Sequence, residues 1–361
     1  MDYQARQEKV RSAIGDYHLD GLVVTHLPNI RYLCGFAGSA GALVVLPQSN
    51  NVFFADGRYE EQARAEVVGA AVVIGRKSPL VAAGEWLATQ GRKPKVLGIE
   101  PEHLTVGEGK LLRKTAGPGL RIRPAPPLVE QARMVKDPQE IAHLGAAARL
   151  GASLFEVALK TIRPGIKEVE VAAEMEYAAR QAGAEGMSFA TIVASGKRSA
   201  LPHGRASSAR IPARGFVVCD FGVILAGYCS DMTRTVHVGT PGAKARHIYC
   251  AVRAAQQGAT EAVGPGVSIG KVHARARKLL NQQKLVQYFQ HSTGHGVGLE
   301  IHEAPRIAAG QQEPLRAGMV ITIEPGVYVP GFGGVRIEDM VAVTERGCQI
   351  FTPTTKELIE L

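Results

Sequence analysis

The sequence has few cysteines and no long apolar run, and each shortage excludes a class of protein. Its five cysteines are odd in number, scattered along the chain and without a Cys-x-x-Cys spacing. This argues against a disulfide framework and a zinc finger, and reduced thiols are expected. No uninterrupted apolar run reaches the roughly 18 residues that cross a bilayer, and the charged N-terminus lacks the apolar stretch of a signal peptide. We therefore expect a cytoplasmic protein with no membrane partner.

Concentrated positive charge is also missing, although the formal net charge is +9. Lysines and arginines are spread along the chain, with no basic-plus-aromatic platform and no helix-turn-helix pattern. The charge is typical of a solvated surface that attracts peptide carboxylates, and we expect no nucleic-acid partner. Ser39 in AGSAG lacks the Gly-x-Ser-x-Gly pattern of a nucleophile elbow. The glycines of GHGVG lack the strand-to-helix setting of a dinucleotide site.

Two domains are predicted by the pattern of apolar runs. In residues 1–128 the short runs GLVVTH, GALVVLP, NVFFAD, AAVVIG and KVLGIE alternate with helical segments, as in an α/β domain. The segment Pro-Ala-Pro-Pro at 124–127 breaks this pattern and predicts a linker. Residues 129–361 form the second domain, whose first long helix has Asp137 as its N-cap, Pro138 at its first position and Gly165 at its far end.

The second domain repeats one order of elements. Two helices, the second over 168–182, precede a β-hairpin, and two more helices over 245–263 and 269–284 precede another. The repeat lies in the order of elements and not in residue identity. It predicts an α+β domain with internal pseudo-symmetry.

The first hairpin, in VVCDFGVILAGYCSDMTRT, carries one aspartate on each arm. Its turn is predicted around Leu225 and Ala226, with Gly227 as the residue of positive φ. A turn that is symmetric about the Leu225–Ala226 bond places Asp220 and Asp231 directly opposite each other, with Cβ atoms about 4.5–5.5 Å apart. Because like charges at such positions are destabilising, the pair predicts a bound cation.

The second hairpin, MVITIEPGVYVPGFGGVRIEDMVAV, repeats this arrangement with glutamates. Glu324 and Glu338 are equidistant from Gly331, so they are also predicted to oppose each other. The glycine-rich segment between the hairpins contributes three histidines: His291, His295 and His302. Imidazole is a common nitrogen ligand. Four carboxylates and one histidine therefore predict a site for more than one metal ion.

Together these motifs closely resemble the pita-bread metallopeptidases: prolidase (Xaa-Pro dipeptidase), aminopeptidase P and methionine aminopeptidase. The matching phrases are LPHG at 201–204, DFG, SDMTRT, HSTGHGVGLEIHE, EPGVY and GVRIED. NIRYLCGFAGSAG and FADGRYEEQA resemble the small domain that precedes the catalytic domain in prolidase and aminopeptidase P. The resemblance implies two divalent ions held by five ligands: Asp220, Asp231, His295, Glu324 and Glu338.

The resemblance also implies a role for each ligand. Asp220 is a terminal ligand of one ion, His295 and Glu324 serve the other, and Asp231 and Glu338 bridge the two. A hydroxide between the ions would attack the scissile carbonyl, with Glu324 as the general base. The oxygen-rich ligand set favours Mn²⁺, with Co²⁺ or Zn²⁺ as alternatives.

Four further residues are expected to bind or to protonate the substrate. The resemblance places His203, His291 and His302 in the substrate pocket, with His203 and His302 available for the oxyanion or the leaving prolyl nitrogen. His291 alternatively braces the loop beside the ligands. Arg336 shares a strand face with Glu338, so it either contacts the substrate or forms an ion pair with Glu338 or Asp339.

An Xaa-Pro dipeptidase is the function that these expectations favour. Its partners would be proline-containing di- or oligopeptides and a second copy of the chain, since the family commonly forms homodimers. Aminopeptidase P is the alternative, whereas methionine aminopeptidase usually lacks the N-terminal domain. Creatinase-like hydrolases and non-catalytic pita-bread binding modules lack the complete ligand set, so its presence argues against both.

Overall fold

Two compact units are seen in the computed structural model, which describes residues 1–47, 50–90 and 94–361. The units are Met1–Arg133 and Met134–Leu361. The first unit runs past the proline-rich segment because a short helix, Leu128–Arg133, packs against it. There the Tyr32 hydroxyl donates to the carbonyl of Ala132 over 3.2 Å. No helix in the described ranges is long and apolar enough to cross a membrane.

The first unit is an α/β domain, as predicted. Its helices are α1 (Tyr3–Asp16), α2 (Leu27–Cys34), α3 (Glu60–Glu66), α4 (Pro79–Thr89), α5 (Val106–Ala116) and α6 (Leu128–Arg133). Its strands are β1 (Gly21–Val24), β2 (Ala42–Val45), β3 (Asn51–Asp56), β4 (Ala70–Gly75), β5 (Val96–Ile99) and β6 (Arg121–Pro124). They form one mixed sheet in the order β4-β3-β2-β1-β5-β6. All five apolar runs are strands, whereas β6 was missed because its alternating Arg-Ile-Arg-Pro lies exposed at the sheet edge.

Four helices of the second unit follow the predicted order. They are α7 (Pro138–Thr161), α8 (Glu168–Gln181), α9 (Ala243–Glu261) and α10 (Ile269–Gln282). Asp137 caps α7 as predicted, because its side chain accepts from the backbone N–H groups of Gln139 and Glu140. The side chain of Glu140 in turn accepts from the N–H of Asp137, which completes a capping box.

The strands of the second unit belong to four small antiparallel sheets. Before α9 they are β7 (Gly186–Met187), β8 (Ile192–Ser195), β9 (Gly215–Phe221), β10 (Val223–Leu225), β11 (Tyr228–Cys229) and β12 (Met232–Val238). After α10 they are β13 (Gly294–Gly296), β14 (Glu303–Ile307), β15 (Val320–Ile323), β16 (Gly326–Val329), β17 (Gly333–Arg336), β18 (Asp339–Thr344) and β19 (Gly347–Ile350). The sheets run β11-β10-β7, β12-β9-β8, β14-β13-β15-β18-β19 and β16-β17.

Each half of the second unit buries its own helix pair against its own strands. One apolar core joins α7 and α8 to β9 and β12, and another joins α9 and α10 to β15 through β18. Each half therefore delivers one hairpin with two carboxylates to the middle of the unit.

Candidate active site

The first hairpin turns one residue later than predicted. Leu225 pairs with Tyr228, which leaves Ala226 and Gly227 as a two-residue turn with φ of 51° and 79°. Positive φ at both positions is what a type I′ hairpin turn requires. Moving the centre of the turn by one residue shifts the cross-strand partner of every residue by two positions. Asp220 therefore lies opposite Thr233. The predicted direct opposition of Asp220 and Asp231 is therefore wrong.

Both aspartates nevertheless line one cavity. Asp231 is two residues from Thr233, the partner of Asp220, and side chains two apart on a strand point to the same face. The two arms of the hairpin can approach closely beside these aspartates because Gly222 has no side chain. A Cβ at Gly222 would lie 1.8 Å from the carbonyl oxygen of Ser230.

The second hairpin has the predicted register. Ile323 pairs with Asp339 and Gly326 with Arg336, and these two pairings share one register that places Glu324 opposite Glu338. Gly331, with φ of 75°, lies at the centre of the connecting loop.

The two hairpins meet through Thr233 of β12. Its hydroxyl donates to Glu338 Oε2 over 2.7 Å, and its carbonyl accepts from the backbone N–H of Glu338 over 3.1 Å. Arg336 Nε donates to the same hydroxyl over 3.0 Å. We call this contact between β12 and residues 336–338 the seam, since it brings the carboxylates of the two halves together.

His295 enters the site from β13 between two glycines that have no room for a side chain. A Cβ would lie 1.8 Å from the Thr322 carbonyl at Gly294, and 2.2 Å from the Ala304 carbonyl at Gly296. The imidazole Nε2 is 3.5 Å from Asp231 Oδ2 and 3.5 Å from Glu324 Oε1. Nδ1 lies 3.0 Å from the Gly296 carbonyl, a geometry in which Nδ1–H donates and the Nε2 lone pair faces the carboxylates.

Burial controls the protonation of this group of ligands. It lowers the pKa of His295 to about 4, so the imidazole is neutral and able to coordinate at pH 7. Burial raises the pKa of Glu324 to about 7. For Asp231 and Glu338, burial together with the charges of neighbouring carboxylates raises the pKa well above its ordinary value. These pKa values indicate that the fold holds acidic groups close together, which costs free energy. Bound cations would remove this cost.

The donor set fits a metal centre. One ligand atom each from Asp231, His295 and Glu338 lie within 4.8 Å of one another. Three buried carboxylate oxygens, Asp220 Oδ1, Asp231 Oδ1 and Glu338 Oε1, have no hydrogen-bond partner in the protein. A buried oxygen without a donor is costly, and bound divalent cations would offset this cost.

Arg336 pairs with a different acid from those that the sequence suggested. Its Nη2 lies 2.5 Å from Asp220 Oδ2, and its Nη1 donates to the Tyr328 hydroxyl over 2.7 Å. That hydroxyl is 3.0 Å from Nε2 of His291. The suggested ion pair with Glu338 or Asp339 is therefore wrong, while contact with a substrate stays a prediction.

A cavity of about 660 Å³ opens onto the carboxylates. Its lining includes every residue that was predicted for the site: His203, Asp220, Asp231, His291, His295, His302, Glu324, Arg336 and Glu338. The rings of His295 and His302 meet edge to face with centroids 4.5 Å apart. Burial lowers the pKa of His291 to about 4 and also lowers that of His302. Both imidazoles are neutral at pH 7.

The residues of the cavity wall that were not predicted include Arg205, Arg306 and Tyr328. Arg205 lies two positions after His203, Arg306 is the cross-strand neighbour of His295, and Tyr328 bonds to Arg336 and His291. A hairpin register for β13 and β14 would have identified Arg306, but the bulge between them hides that register in the sequence.

Comparison with known proteins matches both units to family models. The model for the creatinase/prolidase N-terminal domain matches residues 6–135, and the model for metallopeptidase family M24 matches residues 142–345. The chain belongs to metallopeptidase family M24. It is a metallopeptidase with the pita-bread fold, as its resemblance implied.

Relatives of this M24 metallopeptidase with similarity over the full length include Xaa-Pro dipeptidases and an aminopeptidase. The curated Xaa-Pro dipeptidase of Pyrococcus horikoshii is 37% identical over 94% of this chain and 95% of its own. The structure of the Xaa-Pro dipeptidase from Bacillus anthracis has a TM-score of 0.96 at 39% identity and covers 100% of both chains. The X-Pro aminopeptidase structure from Thermotoga maritima has a TM-score of 0.89 at 31% identity and covers 98% of this chain and 99% of its own.

Proposed function

We propose that this M24 metallopeptidase is a two-metal Xaa-Pro dipeptidase. The observation that carries the proposal is the meeting of two opposed glutamates, two aspartates and a neutral imidazole at one 660 Å³ cavity. Xaa-Pro bonds lack the amide N–H that ordinary peptidases bind, so a specialised pocket is needed. Aminopeptidase P activity on longer peptides is the alternative.

In the proposed centre the ligands have distinct roles. Asp220 would be a ligand of one ion, His295 and Glu324 would be ligands of the other, and Asp231 and Glu338 would contribute to both. Bound divalent ions, with Mn²⁺ ahead of Co²⁺ and Zn²⁺, would supply a water of lowered pKa and polarise the scissile carbonyl. Three partnerless carboxylate oxygens and the neutral imidazole support this assignment.

Glu324 is the proposed general base. Its carboxylate reaches the Nε2 of His295 at 3.5 Å and lines the same cavity as the other ligands. A carboxylate at this position is within reach of a water held among the ligands and can accept its proton. Glu324→Gln should therefore abolish hydrolysis while the circular dichroism spectrum of the fold is retained.

His203 and His302 are proposed to contact the substrate. Both line the cavity, and the His302 ring meets that of the ligand His295. Because burial lowers the pKa of His302, its imidazole is neutral at pH 7. A neutral ring can donate one N–H to the developing oxyanion and is positioned next to the reaction.

Substrate length is proposed to be recognised by Arg205 and Arg306, two of the three arginines on the cavity wall. The third, Arg336, is paired with Asp220. In a dipeptide the free carboxylate belongs to the proline itself, whereas each further residue moves it by about 3.8 Å. Arg306 lies directly across the ladder from His295, so it is suited to a carboxylate close to the scissile bond.

The test compares Ala-Pro, Ala-Pro-amide, Ala-Pro-Ala and Met-Ala-Ser on apo-protein reloaded with Mn²⁺, Co²⁺ or Zn²⁺. We expect Ala-Pro to be the preferred substrate, and Arg306→Met to raise KM for Ala-Pro but not for the uncharged amide. Arg316→Met, at a surface pair with Glu313, is the matched control and should change neither.

Other outcomes would identify other functions. Faster cleavage of the first bond of Ala-Pro-Ala would establish aminopeptidase P. Release of methionine from Met-Ala-Ser alone would reject the proline specificity. No cleavage with any metal would favour a binding module.

A cytoplasmic homodimer is the proposed cellular form. Three of the five free cysteines, Cys34, Cys219 and Cys229, are buried, and burial raises the pKa of Cys34 and Cys219 to about 12. Such thiols are inert and suited to a reducing compartment. Sedimentation velocity would measure the oligomeric state, and fractionation of cells would test the location.

A further inference from the structure

A buried ion pair lies directly behind the metal ligands. Arg234 follows Thr233 on β12, and Asp339 follows Glu338, so their side chains point to the face opposite the cavity. Arg234 Nη2 is 2.8 Å from Asp339 Oδ1, and each side chain is only 1% exposed. The pair therefore joins the two hairpin strands on the side away from the substrate.

The guanidinium of Arg234 also bonds to the last residues of the chain. We call residues 352–361 the C-terminal segment. Nη1 donates to the carbonyls of Thr233 and Glu338, Nη2 to that of Thr354 over 2.9 Å, and Nε to that of Thr355 over 3.0 Å. One side chain thus holds both hairpins and the C-terminal segment in a fixed geometry.

Asp339 receives donors from the same segment and from α9. Lys356 Nζ lies 2.7 Å from Oδ2 and Gln256 Nε2 lies 2.9 Å from it. Gln256 also donates to the carbonyl of Ile323 over 3.4 Å, directly before Glu324. The hydrogen bonds of this network therefore reach the backbone of Glu338 and the backbone next to Glu324. They also reach β12, the strand that carries Thr233.

The end of the segment extends the edge of β12. The N–H of Leu361 donates to the carbonyl of His237 over 2.9 Å, and the N–H of His237 donates to the carbonyl of Ile359 over 3.0 Å. The C-terminal segment is thus anchored to β12 at one end and to the ion pair at the other.

We infer that docking of the C-terminal segment and metal binding are thermodynamically coupled, with Arg234 and Lys356 as positioning residues. In the metal-free protein, holding the buried carboxyl groups together at the seam costs free energy, either as charge repulsion or as proton uptake, and this cost favours movement of the two hairpins apart. The docked segment resists this movement through Arg234 and Asp339, and cations in the site remove its cause. Each event therefore favours the other by the same factor.

The coupling has a direct test in the unmodified protein. Hydrogen exchange of peptides covering residues 352–361 is measured on the full chain without metal and with saturating Mn²⁺, and α10 serves as the internal reference. We expect Mn²⁺ to slow exchange of the segment about tenfold, within the usual range of coupling between sites, with no comparable change in α10. Equal exchange of the segment in both states would overturn the inference.

A pair of variants tests the reciprocal effect. Lys356→Met removes one donor to Asp339 but keeps the pair with Arg234, whereas Glu357→Gln removes only a surface contact with Arg253 in the same segment. By titration calorimetry, Lys356→Met should weaken Mn²⁺ binding by up to about tenfold, the factor by which Mn²⁺ is expected to slow exchange of the segment. Glu357→Gln should bind Mn²⁺ as the unmodified protein does.

The two hypotheses fail in different ways. Equal Mn²⁺ affinity in Lys356→Met and the unmodified protein would refute the coupling and leave the dipeptidase proposal intact. Failure of the unmodified protein to bind Mn²⁺, Co²⁺ or Zn²⁺ would refute the two-metal centre itself and the coupling with it.

Discussion

Replacing Arg336 with methionine should affect the metal-free protein far more than the metal-loaded one. Arg336 is 4% exposed, and its guanidinium lies 2.5 Å from Asp220 Oδ2 and compensates the charge of that carboxylate. Methionine has a similar length but no charge, so the buried carboxylate of Asp220 would be left without a cation. In the metal-loaded protein a divalent ion at Asp220 would compensate this charge instead.

The size of the effect follows from the burial of the pair, whose side chains are 5% and 12% exposed. Removing one partner of a buried ion pair costs about 3–5 kcal/mol. At about 2 °C per kcal/mol in a domain of this size, the Tm of the apo-protein should fall by roughly 6–10 °C. With saturating Mn²⁺ we expect less than half of that loss.

Calorimetric unfolding of both forms measures this difference. The control is Arg336→Met combined with Asp220→Asn, which removes both charges and should recover most of the stability of the apo-protein. Equal losses of Tm with and without Mn²⁺ would refute the reasoning, because they would show that Arg336 stabilises by packing alone.

Two further predictions concern protons and glycine. Burial raises the pKa of Glu324 to about 7 and that of its neighbouring acids as well, while it lowers the pKa of His291 and His295 to about 4. The two effects on proton binding oppose each other between about pH 4 and pH 6.5, so the clear excess of protons on the folded apo-protein lies in the window from about pH 6.5 through the Glu324 pKa of about 7. Its unfolding midpoint should therefore fall, and its Mn²⁺ affinity rise, as pH increases through this window; a flat profile of both would contradict the assigned pKa shifts. Gly222→Ala would place a Cβ 1.8 Å from a backbone carbonyl and should lower the free energy of unfolding by more than about 3 kcal/mol. Gly109→Ala in α5, where nothing lies within 4 Å, should raise it by about 0.5–1 kcal/mol, and similar results for the two variants would count against the close approach at the first hairpin.

The sequence identified the elements of the fold better than the register of its strands. Two glutamates equidistant from Gly331 do face each other, because the loop there is symmetric about that glycine. Around Gly227 the same reasoning failed by one residue. Ala226 adopts a positive φ of 51°, which a side chain rarely does, and composition gives no warning of it.

Pairings between residues that are far apart in the chain could not be predicted from the sequence. The predicted site residues all came from motifs of a few neighbouring positions. The pairing of Arg336 with Asp220 joins positions 116 residues apart, and that of Arg234 with Asp339 joins positions 105 apart. Such pairs follow from the packing of the two halves, which local periodicity does not predict.

The seam between the hairpins determines when in folding a metal can bind. Each hairpin forms from contacts within about thirty residues, a range in which pairing is fast, yet alone it presents only two of the five ligands. Thr233 and Glu338, which join the halves, are 105 residues apart. The cation therefore meets a site only after both halves have docked, unlike the small zinc domains that fold around their ion. We therefore expect bound metal to act mainly by slowing the unfolding of this protein rather than as a template for its folding.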